Sequence, residues 1–320
     1  MIESRIAEGL THWPHLAAEA GLPEKGWQPD LLSSRRDQLA DRVVVRLRHP
    51  DHGAVVLKQG FGKGGQASVG NSIAPQQRAA SMLAGKGPVA VPKILAARPE
   101  LGAILMSEAE GQRLADLVDH VGMADALERA GEWLDAFHRA GRVQERAFQP
   151  RFMQTHLRRV ADEALAGKRA IPRAEDFANS LAKLDELAVA ARDARTVSSV
   201  RHGDLNARNL LIDARIAWGI DFGEAGEGPV GYDIARLLVH LTELSARPPS
   251  AELVQRPLQR AFFGGYKLTK RRDGSLPFLY YARLMSDWAS LAAPEDELTL
   301  FKTLRLERIA ALAKAVVVEA

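Results

Sequence analysis

The sequence predicts an α+β fold in two lobes, a small antiparallel sheet followed by a larger helical part. Three observations carry this prediction. Residues 43–48, VVVRLR, and 54–59, AVVLKQ, are β-branched runs on either side of the turn HPDHG, and together they read as a hairpin. From residue 124 onward apolar residues recur at three-to-four spacing, the period of an amphipathic helix. The 320 residues suit one large domain or two lobes, since a domain holds ~100–200 residues. A change of texture near residue 110 divides the chain into lobes 1–108 and 109–320, with residues 1–26 a helical extension of the first.

The elements follow in order. Residues 60–73 are rich in Gly, Ser and Asn and read as a flexible loop, and 76–84, QQRAASMLA, has the composition of a short helix. KGPVAVP breaks that helix, and 101–106, LGAILM, is a buried strand candidate. Residues 124–140 place Ala126, Leu127, Ala130, Trp133, Leu134 and Phe137 on one helical face. Helices are expected again at 152–166 and 176–192, with a Pro-containing turn at 171–173 between them. NLLID (209–213) and IAWGID (216–221) are two short strands. The remaining helices fall at 232–246, 251–267, 277–292 and 296–319, and the basic run KLTKRRDG (267–274) reads as a solvated turn.

Composition excludes several classes. Net charge is +3, too weak a field over a chain this long to call for a nucleic acid. With no cysteine there is no disulfide scaffold, thiolate zinc site or thiol nucleophile. The first residues lack the apolar core of a secretory signal, and no stretch approaches the ~18 apolar residues of a membrane span, which points to a cytoplasmic protein. Gly60, Gly62 and Gly65 match G-x-G-x-x-G, but no acid follows at the ribose position, so a dinucleotide site is not expected. Neither Lys63 nor Lys86 completes a Walker A loop. The histidines are scattered without zinc spacing, and His138, at the end of an apolar face, reads as a core residue.

One region stands apart. Arg201-His202-Gly203-Asp204-Leu205-Asn206-Ala207-Arg208-Asn209 leads into NLLID, and Ile220-Asp221-Phe222-Gly223 ends the return strand. The spacing brings the Asn209 amide and the Asp221 carboxylate to one point, with Asp204 a few residues away. Such hard oxygen donors suit Mg²⁺, which takes one or two carboxylates plus substrate phosphates. Phosphoryl transfer needs these parts, together with a carboxylate to orient the attacking hydroxyl and a lysine for the phosphates, here Lys58.

The run HGDLNARNLLID followed by IDFGEAGEGPVGYDIARLL resembles the aminoglycoside phosphotransferase and choline kinase family, a branch of the protein-kinase-like fold. The resemblance implies a bilobal α+β kinase-like fold and a phosphotransferase using ATP and Mg²⁺. Asp204 would be the catalytic aspartate, Asn209 and Asp221 the metal ligands, and Lys58 the phosphate-binding lysine. The hinge Met106-Ser107-Glu108-Ala109 would contact adenine through its backbone, with Ser107, Glu108 and Ala109 as the binding residues. Asp233 and His202 would organise the catalytic loop.

Three features depart from the family pattern. The small-lobe helix reads Gln76-Gln77-Arg78, with no glutamate for Lys58, whose partner is then a Gln, another acid or nothing. The loop expected over the phosphates, SSRRDQLAD (33–41), has no glycine, and 60–73 inserts a mobile stretch.

The leading expectation is a small-molecule kinase acting on a hydroxyl of an amino sugar, aminoglycoside, amino alcohol or similar acceptor. The alternative is a pseudoenzyme that binds nucleotide or ligand. His-Gly-Asp and the absence of Ala-Pro-Glu argue against a protein kinase. Asp287, Trp288, Glu295, Asp296 and Glu297 would suit a cationic acceptor or simply form a solvated helix start.

Overall fold

The computed structural model describes residues 2–36, 41–223, 226–269 and 273–317. Residues 37–40 of the expected phosphate-covering loop lie outside them, as do 270–272 of the basic run. The chain divides into two compact units, Met1–Gly111 with Leu211–Glu224, and Gln112–Leu210 with Ala225–Ala320.

The first unit opens with helices α1 (Ile2–Gly9) and α2 (Trp13–Glu19). Strands β1 (Gln28–Arg35), β2 (Arg42–His49) and β3 (Gly53–Gly60) follow, then helix α3 (Gly62–Leu83) and strands β4 (Val89–Ala90), β5 (Ile94–Arg98) and β6 (Ala103–Ser107). The main sheet is antiparallel in the order β1-β2-β3-β6-β5. The predicted hairpin forms in register, with Val45 opposite Leu57 and His49 opposite Gly53. Val43, Val45 and Leu47 alternate onto one face and meet Val55 and Leu57 there, as the two-residue strand period requires. Trp13, Leu16 and Ala17 of α2 pack on that face, so the N-terminal helices belong to this core. Val69 and Ile73 of α3 pack against Ile104, the cross-strand partner of Lys58.

Two expectations fail here. The segment 60–73 is not a mobile loop but continues in α3, which carries Pro75 and runs for 22 residues. Two of its glycines, Gly60 and Gly65, are demanded by packing. A Cβ on Gly65 would lie 2.2 Å from the Asp41 carbonyl oxygen, and one on Gly60 would lie 2.1 Å from that of Gly65. Helix propensity penalises glycine, and only tertiary contact explains why the helix keeps it. Ser33 and Ser34 do not sit in a loop; they pair with Val44 and Val43 as part of β1.

The second unit begins with the short strand β7 (Gln112–Arg113) and helix α4 (Met123–Ala140), which buries the predicted Ala126–Phe137 face. Strand β8 (Gln144–Ala147), helices α5 (Arg151–Leu165) and α6 (Ala174–Ala191) and strand β9 (Arg195–Val200) come next. The chain then returns to the first unit through β10 (Leu210–Ile212) and β11 (Ala217–Gly219), where β11 pairs in parallel with β4. Strand β12 (Glu227–Pro229) completes a three-stranded antiparallel sheet, β12-β9-β8, in the second unit. Helices α7 (Gly231–Leu244), α8 (Arg256–Gly265), α9 (Leu276–Ala289) and α10 (Leu300–Ala315) end the chain.

Helix α8 starts five residues later than the periodicity predicts, at Arg256, and α10 starts at Leu300 behind the Thr299 cap. Helices α4 and α8 approach closely at Gly131 and Gly265; a Cβ on Gly265 would lie 1.9 Å from the Glu128 carbonyl oxygen. What remains described of the basic run is tied down: the Lys267 and Leu268 N–H groups donate to Asp135 at 2.8 and 2.6 Å, and Asp273 is buried. Among the described residues no helix is long and apolar enough to cross a membrane.

Candidate active site

In the first unit β3 carries Lys58 on the face opposite Val55 and Leu57, and its side chain is buried. Its ammonium donates to Asp221 Oδ1 at 2.8 Å. A buried ammonium needs a counter-charge, because desolvation alone penalises it. Gln76 does not serve, since its amide nitrogen donates to the Pro92 carbonyl at 2.8 Å. The partner of the lysine is therefore the acid of Ile-Asp-Phe-Gly. Asp221 holds a left-handed backbone, φ +58°, which an L-residue adopts at a cost of about 1 kcal/mol.

The expected hinge begins where the β6 ladder ends. Ser107 donates its backbone N–H to the Lys93 carbonyl at 2.9 Å, and its hydroxyl accepts from the Lys93 N–H at 3.0 Å. The Glu108 carboxylate accepts from Arg46 at 3.2 Å, which commits its side chain to the sheet. Ala109 follows, half-buried.

In the second unit the loop 201–209 connects β9 to β10, and α7 holds it from below. Asp233, on the first turn of α7, is 2 % exposed. Its carboxylate accepts from the backbone N–H groups of His202 at 2.7 Å and Gly203 at 3.3 Å, and from His138 Nε2 at 3.2 Å. Burial pushes the Asp233 carboxyl up, but the bond from His138 and the nearby imidazoles outweigh it and hold the group below the usual carboxylate range. His138 is the core histidine expected from its place in α4, and it is also a brace. Its Nδ1 lies 2.9 Å from the Tyr266 hydroxyl, and with that hydroxyl donating, Nε2 carries the hydrogen toward Asp233. His202 is fully buried against Trp133, ring to ring at 6.0 Å. Gly203 takes φ +85°, a turn that exposes the next residue.

That next residue is Asp204. Its backbone carbonyl accepts from the amide nitrogens of Asn206 at 3.2 Å and Asn209 at 2.8 Å, so Asn209 is anchored by nitrogen and its oxygen is the atom left for a cation. The Asp204 carboxylate pairs with the Arg236 guanidinium. Arg236 escaped the sequence reading. It stands three residues after Asp233 in Tyr-Asp-Ile-Ala-Arg, and helical periodicity puts both on the face turned to the loop. His240 and Glu243 continue the stripe. The Ala207 N–H donates to His240 Nδ1 at 3.2 Å, and burial lowers the imidazole to a pKa of about 4, which keeps that acceptor unprotonated.

The acid-and-aromatic cluster near the C-terminus is not a cation pocket. Asp287 is buried and gripped by the two-pronged Arg283 and by Arg305. Trp288 is buried and donates to the Pro172 carbonyl at 2.9 Å. Glu295 pairs with Arg173, and 295–297 form an exposed 3-10 turn ahead of α10.

Comparison with known proteins bears on the fold and the family. The chain is similar to amicoumacin kinase hAmiN in complex with AMP-PNP, Ca²⁺ and Ami (TM-score 0.58, 14% identity, covering 97% of this chain and 95% of that one). It is also similar to a choline/ethanolamine kinase family protein from Mesorhizobium loti (TM-score 0.57, 18% identity, 93% of each chain). A macrolide 2'-phosphotransferase type I gives TM-score 0.57 at 19% identity over 97% of each chain. At such identities the likeness is one of fold, and the fold is the expected α+β, protein-kinase-like one. No curated protein matches the sequence. The model of the phosphotransferase enzyme family (APH) matches residues 32–268, spanning Lys58, the His-Gly-Asp segment and the Tyr-Asp helix, and the chain belongs to that family.

Proposed function

We propose that this protein transfers the γ-phosphoryl group of ATP to a hydroxyl of a small molecule in the cytoplasm. The observation that carries the reading is the loop at Asp204, braced from beneath by the buried Asp233 and laced by Asn209. A carboxylate held this way is positioned to orient a hydroxyl and accept its proton. The acceptor oxygen forms a bond to γ-phosphorus, the bond to the β–γ bridging oxygen breaks, and ADP leaves with that electron pair.

The donor set fits a hard divalent cation. Asn209 offers an amide oxygen because its nitrogen is committed to the Asp204 carbonyl, and Asp221 offers a carboxylate. We assign these two residues to Mg²⁺, which when bound would neutralise phosphate charge. Lys58 supplies a buried cation to the nucleotide phosphates, at which point Asp221 is released from sole charge of it. Ser107, Glu108 and Ala109 contact adenine through the backbone, since the Glu108 side chain is already committed to Arg46.

The test is ADP release by the purified protein with Mg²⁺, ATP and a panel of hydroxylated small molecules. Asp204→Ala should lose about 10²–10⁴-fold in turnover while keeping nucleotide affinity. Undiminished turnover in that variant would overturn the assignment.

A further inference from the structure

Resting on the kinase reading, we propose that the acceptor carries an anionic group, a carboxylate or phosphate ester, and that Arg236 receives it. The stripe of α7 that faces the catalytic loop carries Arg236, a guanidinium whose donors are not all met. Arg236 reaches Asp204 through one terminal nitrogen, while its Nε is buried with no partner among the described residues. A guanidinium has five donors, and a buried donor left unmet is costly. Burial lowers the Arg236 guanidinium further from its usual value, and the charge of Arg283 on α9 adds to the effect.

The neighbouring acids do not relieve this. Asp287 is taken up by Arg283 and Arg305, and Glu243 also answers to Arg305. Burial and the nearby Asp287 push the Glu243 carboxyl up, so it carries less than a full charge. Asp233 also faces Arg236 and Asp119 faces Arg308, but Asp233 is taken up by His138 and the His202 and Gly203 N–H groups, and Asp119 by Ser245, Ala246 and Arg247. An ammonium on the acceptor would meet the Arg236 guanidinium and, beside it, the acids Asp204, Asp287 and Glu243, each already paired with an arginine. A carboxylate or phosphate would find a planar donor fork suited to it. It would also compete with Asp204 for Arg236. That competition frees the aspartate to take the hydroxyl proton when the acceptor arrives.

The experiment compares matched acceptors on the full chain with Mg²⁺ and ATP: glycerate, gluconate and glucose 6-phosphate against glycerol, glucose and glucosamine. Binding is followed by calorimetry and turnover by ADP release. The anionic members should be preferred about tenfold or more in kcat/KM. Arg236→Gln should erase that preference by raising the acceptor KM, with the ATP KM unchanged, and Arg236→Lys should restore part of it. Preference for glucosamine or a neutral member, no detectable binding of any anionic member, or an unchanged preference in Arg236→Gln would overturn the inference. So would an effect of Arg236→Gln on the ATP KM alone, which would assign the arginine to the nucleotide. If ATP turnover persists in these cases, the kinase reading stands; absence of Mg–ATP binding and turnover in the wild type defeats both. Thermal unfolding of each variant shows whether the half-exposed Arg236 matters to the fold.

Discussion

The Asp233 carboxylate receives the His202 backbone N–H at 2.7 Å, across 31 residues of sequence. This bond joins the two motifs that bracket the β10–β11 hairpin and fixes the turn that presents Asp204. Asp233→Ala would orphan two buried backbone donors and His138 Nε2 at once. The cost should be about 2–4 kcal/mol in chemical denaturation, with loss of most turnover. A neutral effect on stability would mean that water replaces the carboxylate.

The Lys58–Asp221 pair should respond unequally to its two deletions. The lysine side chain is 6% exposed and the aspartate 35%. Asp221→Ala strands a buried ammonium, whereas Lys58→Met leaves a carboxylate that water reaches. The first should destabilise by about 2 kcal/mol more than the second, although both should abolish phosphotransfer. Equal melting temperatures would show that the ammonium finds another partner.

His240 sets a pH dependence. Its imidazole drops from 6.5 in the unfolded chain to about 4 in the fold. Between those values the unfolded state binds more protons, so stability falls as pH falls through this window. The loss should reach about 3 kcal/mol by pH 4, and His240→Gln should flatten that part of the profile. An unchanged profile in the variant would place the acid sensitivity elsewhere.

Two glycines of α3 separate packing from propensity. At Gly65 a Cβ would meet the Asp41 carbonyl oxygen at 2.2 Å, while at Gly70 the nearest atom, the Pro99 carbonyl oxygen, is 3.6 Å away. Gly65→Ala should therefore destabilise by about 2 kcal/mol or more, and Gly70→Ala should stabilise by about 0.5–1 kcal/mol through helix propensity. Stabilisation by both would mean that residues 62–70 are not packed as described.

Much of the fold was legible because its signals are local. The alternation Val43-Val45-Leu47, the HPDHG turn and the α4 face depend on neighbours two to four positions away, and all three formed as expected. Strand β8 was missed because it is exposed and polar, QERA, without the half-buried alternation that betrays a strand. The glycine run was misread because its helix is held by a close approach to Asp41 that no propensity records. His-Gly-Asp, its following Asn209 and Ile-Asp-Phe-Gly marked the site by order and spacing. Arg236, equally near Asp204, carried no such mark except its phase with Asp233.

By itself the sequence determined which chemistry the chain carries: oxygen and nitrogen groups, no thiol, and a phosphotransferase motif in order. Its periodicities also determined where a sheet and helices form. Only the tertiary structure decided who partners whom. Asp221 rather than a helix glutamate holds Lys58, Asp287 is spent on arginines, and Arg236 sits on Asp204. The physical reason is that charge pairing inside a fold depends on burial and on distances between residues remote in sequence. Those are set only when the helices and strands pack.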